Sequence, residues 1–266
     1  MISGLHRFFV DPAILGGDRV LLSGPQAHQI SRVLRLKSGD RVVLANGAGR
    51  EYRVRLDEVR SAAVTGTVDR VQPSRPEPRL FLTLYQALVP RDRFETVLQK
   101  GTEVGISRFV PTWCEQSIVT GERIDEKRLE RWRRIVAEAA EQCERGIVPA
   151  VALPMRFGDA LAEAVASGPT MVAWERECER SIQAGLREAL AGPSLSLMVG
   201  PEGGFSSTEI SVARHAEALT VSLGPRILRT ETAGPVLAAL ALYEAGDLTP
   251  PDPLSPPERP EGGVDE

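Results

Sequence analysis

The sequence predicts a mixed α/β protein: a mostly parallel sheet covered by helices, with a smaller β-rich barrel ahead of it. Three observations lead there. Pro73-Ser74-Arg75-Pro76-Glu77-Pro78 places three prolines in six residues, which neither a helix nor an inner strand accommodates. After that linker, short apolar runs alternate with helical stretches, the pattern of a parallel sheet with crossover helices. Before it, five strand-like runs surround a single helical stretch.

The N-terminal runs are Arg7–Val10, Val20–Ser23, Arg41–Asn46, Tyr52–Leu56 and Ala63–Val71. Asn46-Gly47-Ala48-Gly49 is a hairpin turn signal. Pro25–Leu36 reads as the helix, started by a proline and carrying Ile30, Val33 and Leu34 on one face. Beyond the linker, strands are predicted at Leu80–Gln86, Arg108–Pro111, Val151–Leu153, Thr170–Trp174, Ser194–Val199 and Ala218–Leu223. Helices are predicted at Arg91–Val104, Asp125–Arg145, Asp159–Ala166, Ser181–Leu190, Ser206–Arg214 and Pro235–Glu244. The chain divides into a barrel at 1–72, a linker at 73–79, an α/β domain at 80–248 and a tail at 249–266. The tail holds six prolines and a net charge of −4, so disorder is expected there.

The net charge of −4 over 266 residues hides an asymmetry. Residues 1–72 carry net +4, with 11 Lys/Arg against 7 Asp/Glu, and the acidic tail offsets them. The local sign is what a polyanion meets. No apolar run reaches the roughly 18 residues of a membrane span. Met1–Val10 lacks a signal-peptide pattern, so a cytoplasmic location is expected. Cys114, Cys143 and Cys178 are too few and too scattered for a disulfide framework or a zinc site, and His6, His28 and His215 lack ligand spacing. No metal is expected.

The chemistry concentrates in two loops. Val199-Gly200-Pro201-Glu202-Gly203-Gly204-Phe205 follows one predicted strand, and Leu223-Gly224-Pro225-Arg226-Ile227-Leu228-Arg229-Thr230-Glu231-Thr232-Ala233 follows another. Open α/β sheets bind ligands outside the carboxyl ends of their strands. Glycines there admit close approach to backbone, and Ser206-Ser207-Thr208-Glu209 supplies a capping box that starts a helix directly behind the first loop. A tight turn without ligand has the same signature, and Arg229 with Glu231 also reads as a structural ion pair. Neither a Walker A sequence nor a dinucleotide fingerprint is present, and no Gly-x-Ser-x-Gly elbow supports a serine hydrolase. Cys143 reads as an inert thiol, with Glu141, Gln142 and Arg145 as a polar stripe near the sheet end.

Taken as whole strings, the two loops closely resemble the ribosomal RNA small subunit methyltransferase E family of the SPOUT superfamily. His6-Arg7-Phe8-Phe9-Val10, then His28 with Val33-Leu34-Arg35 and Gly39-Asp40, resemble the family's opening blocks. Lys100-Gly101-Thr102-Glu103-Val104-Gly105 and Ala140-Glu141-Gln142-Cys143 with Val148-Pro149 resemble two more. The resemblance spans residues 6–247. Glu144 before Arg145, and Gly234-Pro235 after Ala233, depart from its pattern outside the loop cores.

The resemblance implies an α/β fold with a deep C-terminal trefoil knot, an N-terminal PUA-like barrel that binds RNA, and a homodimer. It implies S-adenosyl-L-methionine as cofactor and methyl transfer to N3 of one uridine of 16S ribosomal RNA in the 30S subunit. Carried onto matching positions, it assigns cofactor contacts to Glu175, Gly200, Glu202, Gly203, Leu223, Gly224, Ile227, Leu228, Thr232 and Ala233. Arg229 is expected to orient the base or stabilise its carbonyls. Glu231 or Glu202 is expected to take the N3 proton, with the choice open. Arg7, Arg32 and Arg35 are the expected RNA contacts. Two other readings stand beside this one: an RNA-binding assembly factor that keeps the pocket without catalysis, and a Rossmann oxidoreductase, which the missing fingerprint disfavours.

Overall fold

The computed structural model describes residues 5–118 and 124–249. The expected disordered tail therefore lies, apart from Thr249, outside the described residues. The N-terminal part is a curled five-stranded sheet of β1 (Arg7–Phe9), β2 (Arg19–Ser23), β3 (Arg41–Ala45), β4 (Arg50–Val59) and β5 (Ala63–Pro73), in the order β1-β3-β4-β5-β2. Alternation sets its inside: Phe8, Val20, Leu22, Val42, Leu44, Val54, Leu56 and Val64 close over one core.

Its helix departs from expectation. An α-helical turn, α1 (Gly24–His28), widens into a π-helical turn at Gln29–Val33. The Ser31 hydroxyl donates to the Ala27 carbonyl at 2.7 Å, and the Leu34 amide reaches back to the Gln29 carbonyl. Competition of this kind bends helices. The wider turn keeps Ile30 in the core and turns Val33 out to solvent, so the predicted shared face breaks.

The second sheet has seven strands: β6 (Phe81–Ala87), β7 (Arg108–Trp113), β8 (Ala150–Val151), β9 (Met155–Arg156), β10 (Thr170–Ala173), β11 (Ser194–Val199) and β12 (Leu219–Val221). Every pair in it is parallel, in the order β12-β10-β11-β6-β7-β8, with β9 also on β7. Of the strand expected at Val151–Leu153 only Val151 is in a strand, β8, and β9 forms beyond Pro154, which has no amide to donate.

Helices cover both faces, as an all-parallel sheet requires. α2 (Arg91–Val104), α3 (Glu126–Gln142), α5 (Ile182–Ala189) and α7 (Thr230–Glu244) pack on Leu82, Leu84, Leu195 and Leu197. α4 (Phe157–Ala166) and α6 (Ser207–His215) pack on Tyr85, Ala87, Val172 and Met198. Each fully buried leucine of this core contributes roughly 1.5–3 kcal/mol. α7 begins at Thr230, five residues before the predicted start, and keeps Pro235 inside it. The proline forgoes one bond, to the Glu231 carbonyl, and burial of Ala233, Leu237, Ala238, Ala241 and Leu242 outweighs that loss.

The linker is clamped. Glu77 accepts from Arg145 and from the amides of Gly146 and Ile147, while Arg145 also donates to the carbonyls of Thr102 and Ile106. Glu141 accepts the Phe9 amide at 2.9 Å, tying α3 to β1. The stripe of Glu141 and Arg145 is thus the seam between the two sheets. Cys143 lies beside it with its thiol pushed up by burial, and Cys114 is buried and shifted the same way; neither environment favours a thiolate.

Candidate active site

The chain makes its site where crossover helices change sides. β6 and β11 are neighbours, yet α2 follows β6 onto one face and α6 follows β11 onto the other. Loops diverging from adjacent strand ends open a crevice there. The segments after β10, β11 and β12 all lie along that carboxyl edge.

Thr230, the first residue of α7, fastens the crevice. Its hydroxyl donates to the Gly200 carbonyl at 2.6 Å, and Gln86 Nε2, at the end of β6, donates to Thr230 Oγ1 at 2.9 Å. The two glycine-proline loops, far apart in sequence, are thereby joined. Sequence reasoning gave no role to Gln86 or Thr230. Gln86 had a signal, as the one amide in an otherwise apolar strand end; Thr230 had none beyond its place between Arg229 and Glu231.

The first loop is built on absent side chains. A Cβ on Gly200 would lie 3.2 Å from backbone of Gly204 and Phe205, and one on Gly203 would meet Gln116 at 2.9 Å. Gly204 holds φ +76°, and its Cβ would sit 2.7 Å from the Glu175 carboxylate. The expected capping box is present, with reciprocal Ser206 and Glu209 bonds, and Glu209 also accepts the Glu115 amide at 2.9 Å. The segment after β7 is thus fixed against the loop, a contact invisible in the sequence.

Glu202 and Glu231 have different surroundings. Glu202 is paired to Arg93 of α2 at 2.7 Å. Glu231 is mostly enclosed; Oε1 lies 4.0 Å from Arg229, and Oε2 is buried without a hydrogen-bond partner. Arg229 itself is 82% exposed at the N-cap of α7 and leans on nothing closer. Ile227 stands 84% exposed on the same loop, while Leu223 and Leu228 pack partly on the core and Gly224 is open at φ +101°. Thr232 is exposed on the first turn of α7. Ala233 points into the core, and its amide is used by the Arg229 carbonyl, which leaves it a packing role.

Glu177 props the loop after β10. Its carboxylate, 3% exposed, accepts from the Thr220 hydroxyl, Arg214, and the amides of Glu179 and Arg180. Burial alone would raise it; the bonds from Thr220, the Glu179 amide, Arg214 and the Arg180 amide outweigh burial and hold it at about 2. A depressed carboxyl stabilises the fold above its unfolded value, near pH 4.5, and that stabilisation is lost as pH falls toward 2. Glu177→Gln is therefore expected to lose on the order of 3 kcal/mol at neutral pH. Urea titrations from pH 7 to pH 2 check this: the gap between wild type and variant narrows below about pH 4.5 and closes near pH 2.

The expected RNA contacts separate. Arg32 and Arg35 are exposed, but Arg35 lies beyond the helix at φ +54°, so the two do not share a helical face. Arg7 is only 6% exposed and donates to Glu51 at 2.5 Å, an ion pair within the barrel wall rather than an open surface. Among the described residues no cluster of His, Cys, Asp or Glu has the arrangement of a metal site, and no helix is long and apolar enough to cross a membrane.

Behind a small barrel, a parallel sheet presents two joined loops at its switch point, a place where α/β proteins bind ligands. Residues 76–242 match the RNA methyltransferase domain family, and residues 22–63 match the RNA methyltransferase PUA domain. The chain is 36% identical to the ribosomal RNA small subunit methyltransferase E of Synechocystis over 88% of its own length and 76% of that protein. It is 31% identical to the protein of that name from Bacillus subtilis, over 92% and 98% of the two chains. The crystal structure of the Neisseria gonorrhoeae ribosomal RNA small subunit methyltransferase E bound to S-adenosyl methionine superposes with a TM-score of 0.78, at 29% identity, over 92% of this chain and 98% of that one. This chain belongs to the ribosomal RNA small subunit methyltransferase E family.

Proposed function

We propose that this protein methylates N3 of one uridine in 16S ribosomal RNA of the small subunit, using S-adenosyl-L-methionine. The observation that carries this is the junction of the two glycine-proline loops through Gln86, Thr230 and Gly200, in a chain of this family. The residues present fit the cofactor. Gly200, Gly203 and Gly204 let the loop close on Phe205, Gln116 and Glu175, where a Cβ would meet protein atoms at 3.2, 2.9 and 2.7 Å, Gly224 stands open, and Glu231 Oε2 is a sheltered acceptor without a partner. Gly200, Gly203, Leu223, Gly224, Ile227 and Leu228 would hold it, with Glu175 and Thr232 at the rim.

When bound, S-adenosyl-L-methionine supplies an electrophilic methyl on a sulfonium. The protein's task is to align a uracil N3 with it and to remove the N3 proton, since the protonated nitrogen is a poor nucleophile. Glu231 is the acceptor of choice, because Glu202 is engaged by Arg93. Arg229 is free to swing its guanidinium onto the uracil carbonyls as charge gathers there. A base reaches this crevice only by leaving its stack.

The same reading covers the assembly. α7 leaves the β12 edge and packs on β6, β11 and α2, and the trefoil knot that the family resemblance implies belongs to this C-terminal part. Leu240 and Tyr243, three apart on α7, are exposed, as is Ile227 ahead of it, and a second copy would cover such apolar surface in a homodimer. The barrel at 1–72 then delivers RNA to the α/β domain at 80–248, in the cytoplasm. The test is transfer of labelled methyl from S-adenosyl-L-methionine to 30S subunits that lack the modification. Cofactor binding with unlabelled subunits would favour a non-catalytic assembly factor instead.

A further inference from the structure

We propose that the outer face of the N-terminal sheet carries a dedicated site for one RNA backbone phosphodiester, built by Arg7 and Arg53 at the seam with the α/β domain. This inference rests on the RNA-directed function proposed above. Strand register supplies the first observation. Arg7 pairs with Val43, Val43 with Arg53, and Arg53 with Arg70, so three arginines occupy one row across β1, β3, β4 and β5. Like charges opposed across strands destabilise a sheet. A register shift at Arg53/Val54 sits in this row, and bulges are a means of re-aiming side chains.

The second observation is unused donors. Arg7 spends Nη2 on Glu51, but Nε and Nη1 are buried and unpartnered, as is Nε of Arg53. A buried donor without an acceptor is costly, and the three belong to two residues that line one concavity. The third is space: a concavity of about 170 Å³ is lined by Arg7, Arg53, Arg75, Glu51, Gln72 and Glu144. Arg75 is neutralised by Glu144, and Glu51 by Arg7 with Gln72 adding a hydrogen bond. One positive charge, on Arg53, and three unpartnered nitrogens remain, Nε and Nη1 of Arg7 and Nε of Arg53. A phosphodiester brings one negative charge and several acceptor oxygens, which matches both counts. Glu144 belongs to the α/β domain, so a phosphate held here lies where the two domains meet.

The experiment measures binding of the full chain to 30S subunits across a salt series, for wild type, Arg53→Gln and Arg53→Lys. Affinity for S-adenosyl-L-methionine and wild-type methyl transfer are measured alongside. Arg53→Gln is expected to bind 30S about tenfold more weakly, with a salt slope lower by about one, and to keep wild-type cofactor affinity. Arg53→Lys keeps the charge but lacks Nε–H, and is expected to restore the slope but only part of the affinity. Wild-type affinity and slope in Arg53→Gln would overturn the site. Inorganic phosphate that stabilises wild type but not Arg53→Gln, with 30S binding unchanged, would overturn it in favour of a free-ion site. Failure of wild type to methylate 30S subunits would instead sink the functional reading, which separates the two.

Discussion

Gly200→Val is expected to lower affinity for S-adenosyl-L-methionine by about 100-fold or more, the scale of loss when bound geometry shifts by an ångström. The cause is steric. Even the first carbon of a side chain at this position would lie 3.2 Å from the backbone of Gly204 and Phe205 and from the Phe205 ring. Valine's two further methyls have nowhere to go except into the loop's own path. The Gly200 carbonyl also anchors Thr230, so a displaced loop pulls on the start of α7 and on Gln86 behind it. Overpacking of this sort costs typically 1–3 kcal/mol, within the reserve of a domain this size. Calorimetry with the cofactor, and a urea melt as control, separate lost binding from lost fold. Unchanged affinity would remove the loop from the site.

Arg229→Ala is expected to act in the opposite way. The side chain is 82% exposed, and its nearest carboxylate is 4.0 Å away, so its removal changes stability by no more than about 0.5 kcal/mol. Cofactor affinity stays near wild type. Methyl transfer falls by about 100- to 1,000-fold, the usual effect of deleting a donor aimed at developing charge. The arginine stands exposed at the start of α7, and its one printed pairing is with Glu231 at 4.0 Å. Single-turnover rates on 30S subunits measure it, and a wild-type rate would assign the uracil carbonyls to another donor.

The sequence made the site's position legible because its signals are local. Glycines at 200, 203, 204 and 224, and the capping box at Ser206, are readable one residue at a time. Their meeting was not, since it depends on Thr230 hydrogen bonding across 30 residues to Gly200 and across 144 to Gln86. Likewise the proposed preference for Glu231 over Glu202 rests on Arg93, which approaches Glu202 from α2. The parallel sense followed from alternation but the strand order did not, and the start of α7 was misplaced because Pro235 is a strong local signal that burial of the surrounding helix overrides. Charge along the barrel pointed to RNA through Arg7, Arg32 and Arg35 as a surface. Strand register shows instead that Arg7 belongs with Arg53, a pairing that sequence spacing does not carry.

The most direct measurement is mass mapping of methylated bases in 16S ribosomal RNA from cells with and without this protein. One uridine is expected to carry a methyl on N3 only when the protein is present, restored by wild type and not by Arg229→Ala. Identical base methylation in both samples, or a difference confined to ribose 2′-hydroxyls, would contradict it.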